Sequence, residues 1–273
     1  MKLLSTLFIT LIAAPGVSGT IIIVEFNNDR IIVAADSRDT ETIGPPNDHV
    51  CKIVQLDRTT FFFATGKLGL TDARTGKSIW NGAELSRVAF VASSQIQDRF
   101  TLVRAAANWA ELMQEKYTVD LEQFVDKKPS DVISQGFFGD IGISGLRIYR
   151  VAIRGMLPPV VKRADTLFTI QQFRSGDLPL ETFGDNDAAA LVAEFIAGRT
   201  ARAEILNAEF TRKFSTATAE EYAARRLQSA IEAAISWMPN KSIGGKAHVM
   251  TVGAQGGIRW IDPKDECAQS QTK

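Results

Sequence analysis

The sequence predicts a single α+β domain in which helices pack outside two β-sheets. Three observations support this fold class: β-branched runs near both ends of the chain, helical periodicity in separate stretches, and no composition break that would mark a second domain. Strands, helices, strands, helices and strands follow one another, an order typical of sheets covered by helices. The composition is that of an ordinary globular protein, with 45% hydrophobic and 23% charged residues in a chain of 273.

The first 19 residues have the three parts of a secretion signal: a short basic start, an apolar run over residues 3–14 and small residues near a cut. The apolar run is shorter than the ~20 residues that a transmembrane helix needs. Small residues, Val17 and Gly19, predict cleavage before Thr20, which leaves a domain over residues 20–265 and a polar tail over 266–273. Cleavage after Gly16, an uncleaved anchor and a buried first strand are the alternatives. We expect a secreted or periplasmic protein without stable membrane insertion after cleavage.

Two hairpins are predicted at the start of the mature chain. The apolar run Thr20–Phe26 is followed by a polar turn and by Arg30–Asp36, a pattern that indicates paired buried strands. Cys51–Leu56 and Phe61–Thr65 form the second pair. The Gly-rich segment over residues 66–82 is predicted to be a loop with at most a short helical turn.

Apolar residues at helical spacing predict the helices, and shorter apolar runs predict the later strands. Residues 84–117 are expected to form one helix or two, with Asp98-Arg99 as the break. A capping box, Thr218 with Glu221, predicts the start of the last long helix. The remaining helices are expected over 187–197 and 219–237, and the strands over 132–138, 146–153, 167–173, 246–253 and 257–260, with 139–145 as a turn.

The numbers of cysteines, histidines and charged residues limit the kinds of site and partner that we expect. Cys51 and Cys267 could form one disulfide, but the apolar surroundings of Cys51 favour a buried free thiol. The two histidines, His49 and His248, have no paired ligand spacing, so we predict neither a metal site nor a histidine-based triad. A net charge of zero without a basic stripe argues against a nucleic-acid partner. The sequence contains no Walker loop, and no cofactor is expected.

Four segments carry a resemblance to a known family. They are Thr20–Val24, Ile31–Arg38, Lys52–Ile53 and Ala64–Gly66, and each stands at an ungapped, fixed spacing from Thr20. In this pattern the chain resembles proteasome β-subunits and the peptidase subunit of the related bacterial ATP-dependent protease. These proteins are N-terminal nucleophile hydrolases of the threonine peptidase type.

The resemblance implies a four-layer αββα sandwich and a role for each matching residue. Thr20 would be the nucleophile and its own α-amine the general base, since such an amine has a pKa of roughly 7.7–8.0. Lys52 would place a positive charge near both groups, and Asp36 would pair with it. The backbone N–H of Gly66 would donate to the oxyanion, a contact typically worth ~3 kcal/mol of barrier.

The same resemblance implies further contacts, with departures in the second half of the chain. Thr40 and Ala64 would contact the substrate, and Arg38 would support the site. Asp185 stands where the family commonly has a serine in a Gly-Ser-Gly turn. Supporting Asp and Ser positions of the family correspond here to Asn240 and Ile243, or to Ser242 after a one-residue slip.

We therefore expect an exported threonine hydrolase that cleaves peptide or other amide bonds through an acyl-enzyme. Short peptides or small amides are the expected substrates, because an exported relative could not rely on ATP-driven unfolding. Two alternatives stay open: a catalytically inactive proteasome-like subunit that acts as a scaffold or binding protein, and an exported ligand-binding domain with an accidental match. The resemblance also leaves a homo-oligomer open.

Overall fold

A computed structural model gives the fold. It describes residues 20–27, 30–38, 48–71, 78–96, 100–119, 132–142, 145–156, 165–174, 180–184, 186–198, 200–238, 243–253, 257–262 and 266–269. The predicted signal segment lies outside these residues. The fold is α+β, with two five-stranded sheets and one two-stranded sheet, all antiparallel, in the described part of the chain. None of the described helices has the length and apolar character needed to cross a membrane.

The strands are, in chain order, β1 (Ile21–Asn27), β2 (Arg30–Asp36), β3 (Ile53–Gln55), β4 (Thr60–Gly66), β5 (Gly69–Thr71), β6 (Ser78–Asn81), β7 (Val132–Gly142), β8 (Gly145–Met156), β9 (Asp165–Arg174), β10 (Leu180–Gly184), β11 (Ala247–Gly253) and β12 (Gly257–Trp260). The helices are α1 (Gly82–Ser94), α2 (Thr101–Val119), α3 (Asn186–Ala197), α4 (Ala201–Lys213), α5 (Ala219–Trp237) and α6 (Glu266–Gln269).

The first sheet has the strand order β10-β1-β2-β11-β12. Its register places Ile22 opposite Ala35, and Ala35 opposite His248 on the other side of β2. The hairpins predicted from the first and last apolar runs are both present. Because β2 pairs with β1 and β11, the end of β2 brings residues from both ends of the chain together.

The second sheet has the strand order β3-β4-β7-β8-β9. The predicted turn over residues 139–145 is wrong, since β7 continues to Gly142 and β8 begins at Gly145. Asp140 and Arg147 lie opposite each other in this extension and form a bidentate ion pair. That cross-strand pair helps to hold the longer hairpin together.

Other differences from the expected elements concern short or weakly patterned segments. The segment over 66–82 contains the β5–β6 pair instead of a simple loop. Of the two alternatives for residues 84–117, the structure confirms two helices, and the expected break at Asp98-Arg99 lies outside the described residues. The strand β10 and the helix α4 were not expected at all. The predicted cap of α5 is confirmed, because the Thr218 side chain accepts a hydrogen bond from the Glu221 backbone N–H.

Three large hydrophobic clusters form most of the core of the described residues, and a small fourth one contains Val132 and Ala152. One contains residues of α1 and α2 with alternate residues of the second sheet. Another contains residues of α3 and α5 with alternate residues of the first sheet. The third joins the remaining faces of the two sheets, and we call it the inter-sheet layer; its buried residues are Ile22, Val24, Ile31, Val33, Ala35, Ile53, Phe61, Phe63, Phe137, Ile141, Leu146, Ile148, Met250 and Val252.

Candidate active site

Asp36, the last residue of β2, is fully buried and accepts four hydrogen bonds. Its Oδ1 accepts from the Ile21 backbone N–H at 2.9 Å and from Lys52 Nζ at 2.8 Å. Its Oδ2 accepts from the backbone N–H groups of Arg38 at 3.3 Å and Gly244 at 3.1 Å. One carboxylate at the end of β2 therefore bonds groups from β1, from the residue before β3 and from the segment before β11.

Lys52 is the charged partner of Asp36, and its side chain is only 1% exposed. Its Nζ also donates to the backbone carbonyl of Arg38. The Lys52 carbonyl accepts from the Ala64 backbone N–H at 3.0 Å, which fixes the lysine against β4. A buried ion pair persists only where extra hydrogen bonds offset the desolvation of both charges, and this pair has them.

Thr20 directly precedes β1 and is fully buried. Its neighbour Ile21 donates to Asp36, so the threonine lies one residue from the charged pair. Ile22 belongs to the inter-sheet layer, and alternation along an extended chain puts the Thr20 side chain on the same face. Within the described part of the chain, the Thr20 hydroxyl has no hydrogen-bond partner. A buried hydroxyl in that state is uncommon and calls for an explanation.

Gly66 ends β4, two residues beyond Ala64, and lies opposite Ser134 of β7. Its φ is +97°, a conformation that L side chains rarely adopt. A Cβ at this position would lie 2.4 Å from the Ile133 carbonyl oxygen and 2.6 Å from Ser134 Cα. The site therefore requires glycine here for two independent reasons, and its role as an oxyanion donor stays a prediction.

A second ion pair braces the segment after β2. Arg38 Nε and Nη2 donate to the two carboxylate oxygens of Asp48 at 2.5 and 2.8 Å. This hydrogen-bonded contact lowers the pKa of Asp48 and raises the pKa of Arg38. The Ser37 hydroxyl donates to the Asp48 carbonyl at 2.5 Å and accepts from the Lys246 backbone N–H at 2.8 Å. The two residues that follow Asp36, Ser37 and Arg38, are thus held by contacts with Asp48 and Lys246.

The structure joins some of the predicted site residues directly and others through the backbone. Asp36, Lys52 and Arg38 form one hydrogen-bonded group, with Thr20 beside it. Ala64 is buried in the cluster with α1 and α2, and its predicted contact with substrate stays a prediction. The remaining predicted residues lie outside the described part of the chain: Thr40, Asp185, Asn240 and Ser242.

Ile243 is one of two residues, with Ser242 as the other, that the resemblance places at a polar supporting position of the family. It is 1% exposed and packs in the cluster with α3 and α5. An aliphatic side chain there supplies no hydrogen bond to the site. The backbone of the next residue, Gly244, contributes instead through its bond to Asp36.

The expectation of a free thiol at Cys51 is wrong, because Cys51 forms a disulfide with Cys267 of α6. The two Cα atoms are 5.5 Å apart although the residues are separated by 216 positions. Periodicity around Cys51 indicates burial but contains no information on a partner so distant in sequence. The bond attaches the tail segment to the residue next to Lys52.

Sequence reasoning missed several residues that build the site. The sequence patterns assign no role to Ser37, Asp48 or Gly244. One sequence signal could have pointed to the last segment: two consecutive glycines directly before the final hairpin. Gly245 has a φ of +70°, and a Cβ there would lie 2.1 Å from Ser37 Oγ.

No group of three or more His, Cys, Asp or Glu side chains suited to a metal occurs in the described part of the chain. Comparison with known proteins adds no family: no protein-family model matches the chain, and a search of curated proteins finds no match. We therefore infer function from the geometry around Asp36 and from the sequence pattern.

Proposed function

We propose that the mature protein is an N-terminal threonine hydrolase that cleaves peptide or small amide bonds through an acyl-enzyme. Thr20 is the nucleophile, and its α-amine, released by cleavage of the preceding segment, is the base. The observation that carries the proposal is the fully buried Asp36–Lys52 pair beside a buried threonine whose hydroxyl is unpartnered among the described residues. Burying a charged pair costs desolvation free energy and often stabilises a fold no better than apolar side chains would, which favours a functional role for this pair.

The chemistry proceeds in two halves. The amine removes the hydroxyl proton while Thr20 Oγ1 attacks the substrate carbonyl carbon, and the carbonyl electron pair moves onto oxygen. The Gly66 N–H donates to that oxyanion. The protonated amine then gives its proton to the leaving nitrogen as the carbon–nitrogen bond breaks, which leaves an ester on Thr20. Water, deprotonated by the same amine, hydrolyses the ester.

Lys52 has an electrostatic role in this scheme. Its ammonium stabilises the developing alkoxide on Thr20 and favours the neutral form of the nearby amine. The hydrogen bonds to Asp36 and to the Arg38 carbonyl hold the ammonium in one place, so little reorganisation is needed during the reaction. Asp36 acts through Lys52 and is a positioning residue.

We further propose that the two sheets and their helices form the four-layer αββα sandwich of N-terminal nucleophile hydrolases. The inter-sheet layer, together with the two clusters between sheets and helices, supports this arrangement. We also propose that the protein is exported to the periplasm or secreted. The Cys51–Cys267 disulfide supports export, because such bonds persist in oxidising compartments.

Labelling with a β-lactone probe tests the proposal. The mature protein should form one covalent adduct, located on Thr20 by peptide mapping. Thr20→Ala should lose the adduct and all turnover of a peptide amide, whereas Thr20→Ser should keep both at a reduced rate because it retains the hydroxyl and the amine. Full labelling of Thr20→Ala would refute the assignment.

One observation favours a second candidate, a catalytically inactive proteasome-like subunit that acts as a scaffold or binding protein. In the register without a slip, Ile243 is aliphatic and buried where the resembled family has a polar residue, and one support for the nucleophile is then missing. This candidate predicts no adduct on Thr20 in a correctly processed and folded protein.

A further inference from the structure

We propose that Thr65 and Gln135 determine the specificity of the proposed hydrolase, and that they select substrates with a carboxamide side chain next to the scissile carbonyl. Asparagine and glutamine side chains are the simplest groups of this class. The inference rests on the proposed function and adds a substrate class to it.

Thr65 and Gln135 are buried polar residues with unpartnered atoms. Thr65 is 0% exposed and Gln135 is 1% exposed. Thr65 Oγ1 and Gln135 Oε1 both lack a hydrogen-bond partner among the described residues. The two residues are directly opposite each other in the pairing of β4 with β7. Two adjacent buried polar groups without partners indicate a binding site, in which a ligand supplies the missing hydrogen bonds.

Alternation along the strands gives the direction of these side chains. Phe63 and Phe137, two residues before Thr65 and two after Gln135, belong to the inter-sheet layer and stack with ring centroids 4.6 Å apart. Thr65 and Gln135 therefore face the same layer, as the next pair after the stacked rings. The Thr65–Gln135 pair therefore lies at one end of the apolar inter-sheet layer.

That end is the one occupied by Thr20. Thr65 lies between Ala64, whose N–H donates to the Lys52 carbonyl, and Gly66, the proposed oxyanion donor. Lys52 bonds Asp36, and Asp36 accepts from the residue after Thr20. Because Thr65 and Gly66 are consecutive in β4, a carbonyl that accepts from the Gly66 N–H lies next to the residue Thr65.

Neighbouring polar residues on the same strands do have partners. The Ser134 hydroxyl, next to Gln135, bonds the Tyr117 hydroxyl at 2.9 Å. The Thr60 hydroxyl, at the other end of β4, donates to Asp57 at 2.9 Å. The lack of partners is therefore a property of the Thr65–Gln135 pair and not of polar residues in these strands generally.

The chemistry of the pair favours a carboxamide. A hydroxyl can donate and accept, and the glutamine amide also offers both functions. A substrate carboxamide can donate its N–H to Gln135 Oε1 and accept from Thr65 Oγ1, which satisfies both groups. An aliphatic side chain would leave both atoms unpaired, and a charged one would be buried without a counter-ion.

The test uses the mature protein and two peptide aminocoumarin substrates that differ only in the residue before the scissile bond, Asn or its near-isostere Leu. We expect kcat/KM to be at least about tenfold higher for Asn. Thr65→Val and Gln135→Met each remove the polar atoms with little change in volume, and each should lower the Asn/Leu ratio by about tenfold. Thr65→Ser retains the hydroxyl and should retain the preference.

Thr60→Val is the matched control, since it removes a buried hydroxyl from the same strand far from Thr20. It should leave the Asn/Leu ratio unchanged, whatever it does to stability. A wild-type ratio near one, or a ratio that neither Thr65→Val nor Gln135→Met changes, overturns the inference. If that happens while the β-lactone still labels Thr20, the proposed function stands without this specificity. If neither labelling nor turnover occurs, both proposals fall.

Discussion

Two sets of polar groups meet at the same end of the inter-sheet layer, and they differ in how their hydrogen bonds are used. Asp36 and Lys52 form a saturated set, in which one carboxylate accepts four bonds and the ammonium donates to two oxygens. Thr20, Thr65 and Gln135 form an open set, whose buried oxygens lack partners among the described residues. Both sets are almost fully buried.

The same end of the fold therefore holds a charged pair rigidly and leaves other buried polar atoms available to a ligand. A saturated buried pair is costly to disturb, because removing one partner leaves an uncompensated charge. An orphan hydroxyl costs stability already, so its removal should cost little more. Substitutions in the saturated set should therefore lower the free energy of unfolding strongly, and those in the open set should change it little.

The largest loss of stability is expected for Lys52→Met. The change leaves Asp36 buried without its cation and should lower the free energy of unfolding by about 3–5 kcal/mol. Denaturant titration measures this. The double variant Asp36→Asn with Lys52→Met is the control and should lose less than the sum of the single changes. A loss below about 1 kcal/mol for Lys52→Met would show that the set is not saturated.

The next largest effect concerns the disulfide beside Lys52. Cys51→Ser should lower the free energy of unfolding by about 2–4 kcal/mol, because the cross-link restricts the unfolded chain. Cys267→Ser and reduced wild type should match it in thermal unfolding, since each removes the same bond. Indifference of the wild-type protein to reductant would contradict the pairing.

A smaller and pH-dependent effect is expected for Asp48→Asn. The hydrogen bond from Arg38 holds the pKa of Asp48 below its ordinary value of 3.8. The pair therefore stabilises the folded protein above about pH 3.8, and this contribution disappears as the pH falls through the folded-state pKa. Asp48→Asn should lose about 0.2–1 kcal/mol at pH 7, as is usual for partly exposed pairs, and nothing at strongly acidic pH. A constant deficit across a pH series of unfolding curves would be the contrary result.

The smallest change in stability is expected for Thr20→Val. This substitution replaces an orphan hydroxyl with a methyl group of similar size, so the free energy of unfolding should stay within about 0.5 kcal/mol of wild type or rise. Thermal unfolding compares it with Thr60→Val, which breaks a hydrogen bond to Asp57 and should cost more. A larger loss at Thr20 than at Thr60 would place Thr20 in the saturated set.

Sequence patterns predict the regular parts of this fold and the charged part of the site. The hairpin of β1 with β2 follows from two β-branched runs and a polar turn, and α5 follows from its cap and its apolar spacing. The resemblance carried by the segments that follow Thr20 implies a pair of Asp36 with Lys52, and the structure joins the two side chains at 2.8 Å.

The parts that were missed lack a local signal. In α4 only Ala203 and Phe210 are buried, so its apolar periodicity is weak. The strand β10 is five residues long and depends on pairing with β1. The disulfide joins residues 216 positions apart, and the open set depends on the register between β4 and β7. Contacts between residues distant in sequence determine these features, and local patterns in a single sequence do not reveal such contacts.

The sequence of the mature N-terminus, determined on protein purified from its native host, tests the central claim most directly. Processing before Thr20 would create the free amine on the same residue as the orphan hydroxyl, beside the saturated set. The proposed mechanism requires a mature chain that begins Thr20-Ile21-Ile22. A mature chain that begins at Val17 and is not trimmed further would have no free amine on the threonine and would rule the mechanism out.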